Sequence, residues 1–149
     1  MGELNRLPIS KSFMLSEFES PDTHEVMVDP RLIECAQKLR DLVGAELFIT
    51  SGYRTPEHNR EVNGSEHSFH MKGQAMDCWT PSATSLELAL AAVQAGFRTV
   101  IIERSKAVVH CALGPAEQLV VPAEQLPEAQ RSVVPSDFPV YAFEDVFPN

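Results

Sequence analysis

The sequence predicts an α+β fold, a small antiparallel sheet with helices packed on it. Three observations carry this. Residues 30–43 hold apolar side chains at helical spacing between a start and a stop signal. Short runs at 46–51, 74–77, 99–103 and 107–113 have the length and apolar character of strands, and the last two are close enough to form an antiparallel hairpin. The chain has 149 residues, 44% hydrophobic and 22% charged, which suits one domain able to bury a core.

Taken in order, Phe13 to Glu19 reads as a short helical hook that buries Phe13, Leu15 and Phe18. Ser20 to Val28 is polar and irregular, with His24 a solvated loop residue. Asp29 is the N-cap of the first helix and Pro30 its first residue, where a missing N–H is harmless. Leu32, Ile33, Ala36, Leu39, Leu42 and Val43 form its core face, Cys35 packs beside them, and Gly44 stops it. Glu46 to Ser51 is a strand ending at Gly52, and Thr55 caps a helix running to about Val62, broken by Asn63-Gly64-Ser65. Gln74 to Asp77 alternates as a strand does. Thr80-Pro81-Ser82 caps a helix from Ala83 to Ala95 that ends at Gly96. Strands Thr99 to Glu103 and Ala107 to Leu113 follow. Residues 1–113 are expected to form the functional domain. Residues 114–149 form a proline-rich extension whose Phe138, Tyr141, Phe143 and Phe147 pack on that domain or on a partner, which makes this tail the route to any oligomer.

A formal net charge of -9 with scattered Lys and Arg excludes nucleic acid as the main partner. No apolar run approaches the roughly 18 residues of a membrane span, and Met1 to Phe13 lacks the pattern of a signal peptide, so synthesis in the cytoplasm is expected. Three cysteines at wide spacing make no disulfide framework.

The stretch from Ser51 to Asp77 is the richest in chemistry. His70 and Asp77 would lie about 10 Å apart along a helix, whereas zinc donors must each come within about 2.0 to 2.2 Å of the ion. A shared ion therefore requires the chain to fold back, and Gly73 permits the turn. A catalytic zinc takes three protein ligands and an open position. His110 is the best third candidate, although an isolated His in an apolar run is more often a hydrogen-bonded core residue. Cys78 follows Asp77 and Cys111 follows His110, so on strands both thiols point away from the site and lie buried behind it. Arg54 stands at a strand exit, where it either grips a carboxylate or carbonyl oxygen or ties down the loop by a salt bridge. Tyr53 is read as packing, His58 as a surface helix residue and His67 as a loop residue.

Ser51-Gly52-Tyr53-Arg54, the ten residues Ser68 to Asp77 in the pattern SxHxxGxAxD, and the later His110 together resemble the M15 family of zinc peptidases. The likeness runs from about Phe13 to Leu113 and includes the FxLSEF opening. It implies a single-domain M15 (hedgehog/DD-peptidase-like) fold with Zn²⁺ held by His70, Asp77 and His110. It further implies that Arg54 polarises the scissile carbonyl, that Ser68 contacts the substrate's amino end, and that the substrate is a peptidoglycan peptide. The bond cut would be D-alanyl-D-alanine, by a carboxypeptidase, or one within the stem peptide, by an endopeptidase. A phage or prophage lysis enzyme released to the cell wall would fit the missing signal peptide.

The general base departs from the family. One branch carries an acid three positions before the last His, where this chain has Ala107; another carries Asp two positions after it, where this chain has Ala112. A hairpin with Arg104 to Ala107 as its loop would pair Ile101 with His110 and put Glu103 on the same face, roughly 7 Å away. Glu103 is thus the candidate base, or else a solvated strand-end carboxylate, with Glu66 in reserve. The rival expectation is a catalytically impaired metal-binding structural or binding module, such as a phage or prophage virion component. A third is a hydrolase of some other small peptide or amide.

Overall fold

The computed structural model describes residues 4–148. Its centre is a six-stranded sheet: β1 (Phe48–Ser51), β2 (Ala75–Trp79), β3 (Thr99–Ile102), β4 (Val109–Ala112), β5 (Gln118–Val121) and β6 (Val140–Ala142), in the order β1-β2-β4-β3-β5-β6. Around it lie α1 (Pro30–Val43), α2 (Pro56–Glu61), α3 (Ser85–Gln94), α4 (Leu126–Ser132) and α5 (Phe143–Val146). This is the expected α+β architecture. The sheet is larger than expected, because the apolar triplets after residue 113 add β5 and β6, and both run parallel to β3.

Alternation along the strands separates two faces. Met76, Cys78, Val100, Ile102, Val109, Cys111, Leu119 and Val121 share one cluster with Leu32, Ala36 and Leu39 of α1 and Leu88, Ala89, Ala92 and Val93 of α3. That is the helix-covered core. Asp77, His110, Ile101 and Glu103 occupy the opposite face.

Local signals explain most boundaries. Asp29 caps α1 by accepting from the Arg31 amide, Pro30 opens it, and Gly44 ends it in the left-handed conformation at φ 71°. Thr55 caps α2 by accepting from His58 N. Helix α3 differs from expectation: its cap is Thr84, not Thr80, in a capping box with Glu87, so the helix begins later. Thr80 instead donates its hydroxyl to Glu46 O at 2.8 Å. The hook is a 3-10 turn, Leu15–Phe18, with Phe13 and Phe18 buried edge to face at 5.8 Å. His24 is ordered rather than merely solvated: it sits at φ 65° with its ring Nδ1 2.8 Å from Glu19.

Candidate metal centre

Each site residue is placed by a different local device. His70 lies in a 3-10 turn, Phe69–Lys72, whose N-cap Ser68 accepts from the His70 amide at 3.2 Å. Gly73 closes the turn at φ 68°, and a Cβ there would strike the carbonyl group of Met27, so no other residue fits this reversal without a shift. The chain then enters β2, where Asp77 sits directly opposite His110 of β4. On the other side of β4, Ile101 pairs with His110, and Glu103 N donates to Val108 O at 3.3 Å. This is the register that a loop of Arg104 to Ala107 predicts, and it puts Glu103 on His110's face. A bulge between Ile49 and Ser51 brings Ser51 opposite Asp77.

The three candidate donors converge. One ligand atom from each of His70, Asp77 and His110 lies within 4.8 Å of the others. His70 Nε2 is 3.3 Å from Asp77 Oδ1, and His110 Nδ1 is 3.1 Å from the same oxygen. Two donors each about 2.1 Å from a common ion at a tetrahedral angle would lie about 3.4 Å apart, so both spacings suit a zinc-sized ion.

The tautomer of His70 supplies an independent test. Its Nδ1 is 2.7 Å from Gly52 O and can only donate to that carbonyl, which leaves the lone pair on Nε2. Nε2 is buried and makes no hydrogen bond: in this tautomer it carries no proton, and the Asp77 oxygen 3.3 Å away is itself an acceptor. Burial, which outweighs the attraction of Asp77, holds His70's pKa below its ordinary value and so favours the neutral ring. A buried, neutral, unpaired nitrogen aimed at a carboxylate and a second imidazole is what a cation would satisfy. These residues fit zinc.

Burial opposes ionisation of Asp77, but the hydrogen bond with His110 and the contact with His70 outweigh it and hold the carboxyl well below the usual range. Its other oxygen accepts from Arg54 Nη2 at 3.3 Å. Arg54 also donates through Nε to Ser51 Oγ at 3.2 Å and through Nη1 to Asn59 Oδ1 at 3.2 Å. Burial lowers the Arg54 pKa, partly offset by Asp77 and Glu103, whose charges both act on it. Arg54 therefore ties down its loop and also faces the site, with further N–H groups to offer a ligand.

All six candidates, Arg54, Ser68, His70, Asp77, Glu103 and His110, line one cleft of about 660 Å³. His67 is exposed on the cleft wall but outside the donor set, and Glu66 is exposed and does not line the cleft. His58 is on α2, 3.4 Å from Glu61. Cys78 and Cys111 are buried behind the site, their sulfurs 4.0 Å apart.

Sequence reasoning missed three contributors. Asn59, buried in α2, holds Arg54 on one side and donates to Ser65 O at 2.9 Å on the other. The carbonyl of Gly52 fixes the His70 ring, and Gly52 itself packs so tightly on Phe18 that a Cβ would come within 2.6 Å of its Cα. Val146 and Phe147 also line the cleft. The polar break at 63–65 hinted at the first, the SGYR pattern at the second, and nothing local at the third.

The cleft thus gathers a His-Asp-His group that could hold a metal ion. The chain belongs to the peptidase M15 family, whose model matches residues 11–112. A comparison with curated proteins finds none that matches. M15 peptidases are typically zinc-dependent, and the His70, Asp77 and His110 group could bind such an ion. The family implies a peptide substrate, and no helix among the described residues is long and apolar enough to cross a membrane.

Proposed function

We propose that this chain is a zinc peptidase that hydrolyses peptide bonds of peptidoglycan, at D-alanyl-D-alanine or within the stem peptide. The observation that carries the reading is the unpaired Nε2 of His70, buried beside Asp77 and His110 at the bottom of a cleft. In this reading His70, Asp77 and His110 hold Zn²⁺, which would supply a Lewis acid for the scissile carbonyl and lower the pKa of water.

The chain's own groups do the rest. Arg54 donates to the carbonyl oxygen and stabilises the negative charge that develops there. Glu103, facing the cleft on His110's side of the sheet, takes the proton of the attacking water and passes it to the leaving amine. The hydroxyl of Ser68 keeps its own proton while its oxygen accepts from the His70 amide, so it can donate to a substrate group. The segment after residue 113 contributes β5 and β6 to the same sheet, and release to the cell wall as a phage or prophage lysis protein fits the reading.

The test is peptide release from purified peptidoglycan by zinc-loaded protein, with metal content measured alongside. Glu103→Gln should keep zinc and lower the rate by at least about 100-fold, whereas His110→Ala should lose the zinc. A second reading, a metal-binding module without catalysis, draws on Ala107 and Ala112 at positions where family branches carry an acid. Bound zinc with no release at any pH would decide for it.

A further inference from the structure

Resting on the peptidase reading, we propose that Val146 and Phe147, facing Phe69 and Ile101 across the cleft, form an apolar subsite. It would take the apolar side chain of the peptide substrate beside the bond being cut, an alanine methyl in D-alanyl-D-alanine and a larger aliphatic or aromatic group in other peptides. All four line the same cavity as His70, Asp77 and His110. Its volume of about 660 Å³ is that of a site for a whole small ligand, far more than an ion and its water occupy.

The two walls come from chain segments that flank different strands of the sheet. The turn carrying Phe69 precedes β2, whereas α5 follows β6, beyond β3 and β5. Both walls are held. On the first, the Phe69 ring rests on Gly114, where a Cβ would come within 2.8 Å of its edge, and Lys72 Nζ lies 4.5 Å over its face. On the second, Phe147 N donates to Phe143 O at 2.8 Å, and the two rings pack at 4.8 Å. Glu144 accepts from Ala123 N and pairs with Arg104, each at 2.9 Å, which pins α5 to the hairpin that carries Glu103.

Held in this way, Val146 and Phe147 remain 37% and 46% exposed, although Phe138 of the same extension is buried. Large apolar side chains left uncovered on a cleft wall favour an apolar occupant, while Arg54 and Glu103 engage the polar backbone of the peptide. Both residues lie outside the family-matched segment, residues 11–112, so this wall belongs to this chain's own extension.

Binding, rather than turnover, tests the subsite. The zinc-loaded, ¹⁵N-labelled full chain is titrated with two blocked dipeptides, acetyl-Gly-Leu-amide and acetyl-Gly-Gly-amide, and followed by NMR. The leucyl peptide should bind at least about tenfold more tightly and shift the amides of residues 146 and 147. Phe147→Ala should bring the two affinities to near parity and Phe147→Leu should keep the preference, the spectra reporting that each variant is folded. Equal affinities in the parent chain, failure of both peptides to bind at millimolar concentration, or a preference that survives Phe147→Ala would overturn the proposal. Leucine-selective binding by a sample that cleaves no peptide would instead count against the peptidase reading and leave the subsite standing.

Discussion

Replacing Gly73 by Ala should damage fold and site together, and Gly44→Ala provides the matched control. Both glycines are left-handed, at φ 68° and 71°. That conformation costs a Cβ-bearing residue about 1–2 kcal/mol, less about 0.4–1 kcal/mol returned by the stiffer unfolded chain. At Gly44 nothing lies within 4 Å of a new Cβ, so the loss should stop near 1 kcal/mol. At Gly73 the new Cβ meets the Met27 carbonyl, which is backbone and cannot rotate aside, and overpacking of this kind adds about 1–3 kcal/mol. Gly73 O also accepts from Asp29 N at 2.9 Å, so relief of the clash would disturb the start of α1 as well as the turn that presents His70. Urea unfolding of both variants in a chelator should show Gly73→Ala the less stable by about 1–3 kcal/mol. Repeated with zinc, the stabilisation by metal should shrink for Gly73→Ala alone, by about 1.4 kcal/mol for each tenfold loss of affinity. Equal losses for the two variants, or zinc stabilisation unchanged in Gly73→Ala, would refute the claim that this reversal positions the donor.

Asp29→Ala should cost about 1 kcal/mol near neutral pH through loss of the α1 cap. Hydrogen bonds from the Arg31 side chain and amide hold the Asp29 pKa below its ordinary value, so its contribution is full above about pH 4, the unfolded value, and is lost as the pH falls from there through the depressed folded value; the difference between parent and variant in urea should be constant above about pH 4 and narrow steadily below it. Asn59→Ala should destabilise by about 1–3 kcal/mol by stranding Arg54 Nη1 and Ser65 O, measured in the same way. Arg104→Ala should leave the urea midpoint nearly unchanged despite two ion pairs, at 2.8 Å to Glu124 and 2.9 Å to Glu144, because solvent screens all three exposed side chains; any difference should fade at high salt.

What could be read beforehand was local. Asp29-Pro30 and Gly44 mark α1 because capping is decided by the residues at the boundary. The pairing of Ile101 with His110 follows from the length of one short loop. Information carried by distant partners was not legible. The bulge at Ile49–Ser51 sets Ser51 opposite Asp77, where its hydroxyl oxygen accepts from Arg54, and both partners are distant or off the strand. The triplets at 119–121 and 140–142 show apolar character but not that they extend the sheet in parallel, since such neighbours are set by tertiary packing. Thr80 looked like a cap because its hydroxyl's true acceptor, Glu46 O, lies 34 residues away. Nor could the arrival of Phe147 at the cleft be inferred from residues near it in sequence.

Asp77 and His110 are rungs of one ladder, facing each other across hydrogen-bonded strands whose reverse side is closed by Met76, Cys78 and Cys111. The spacing of these two donors is therefore dictated by the sheet, before any ion arrives. Unlike small domains that need their metal in order to fold, this protein should survive chelation with its circular dichroism intact and should take up zinc in a single bimolecular step without a refolding phase. Altering the oily layer beneath, by Cys111→Val for instance, should then reset the grip on the metal from behind, without touching a ligand.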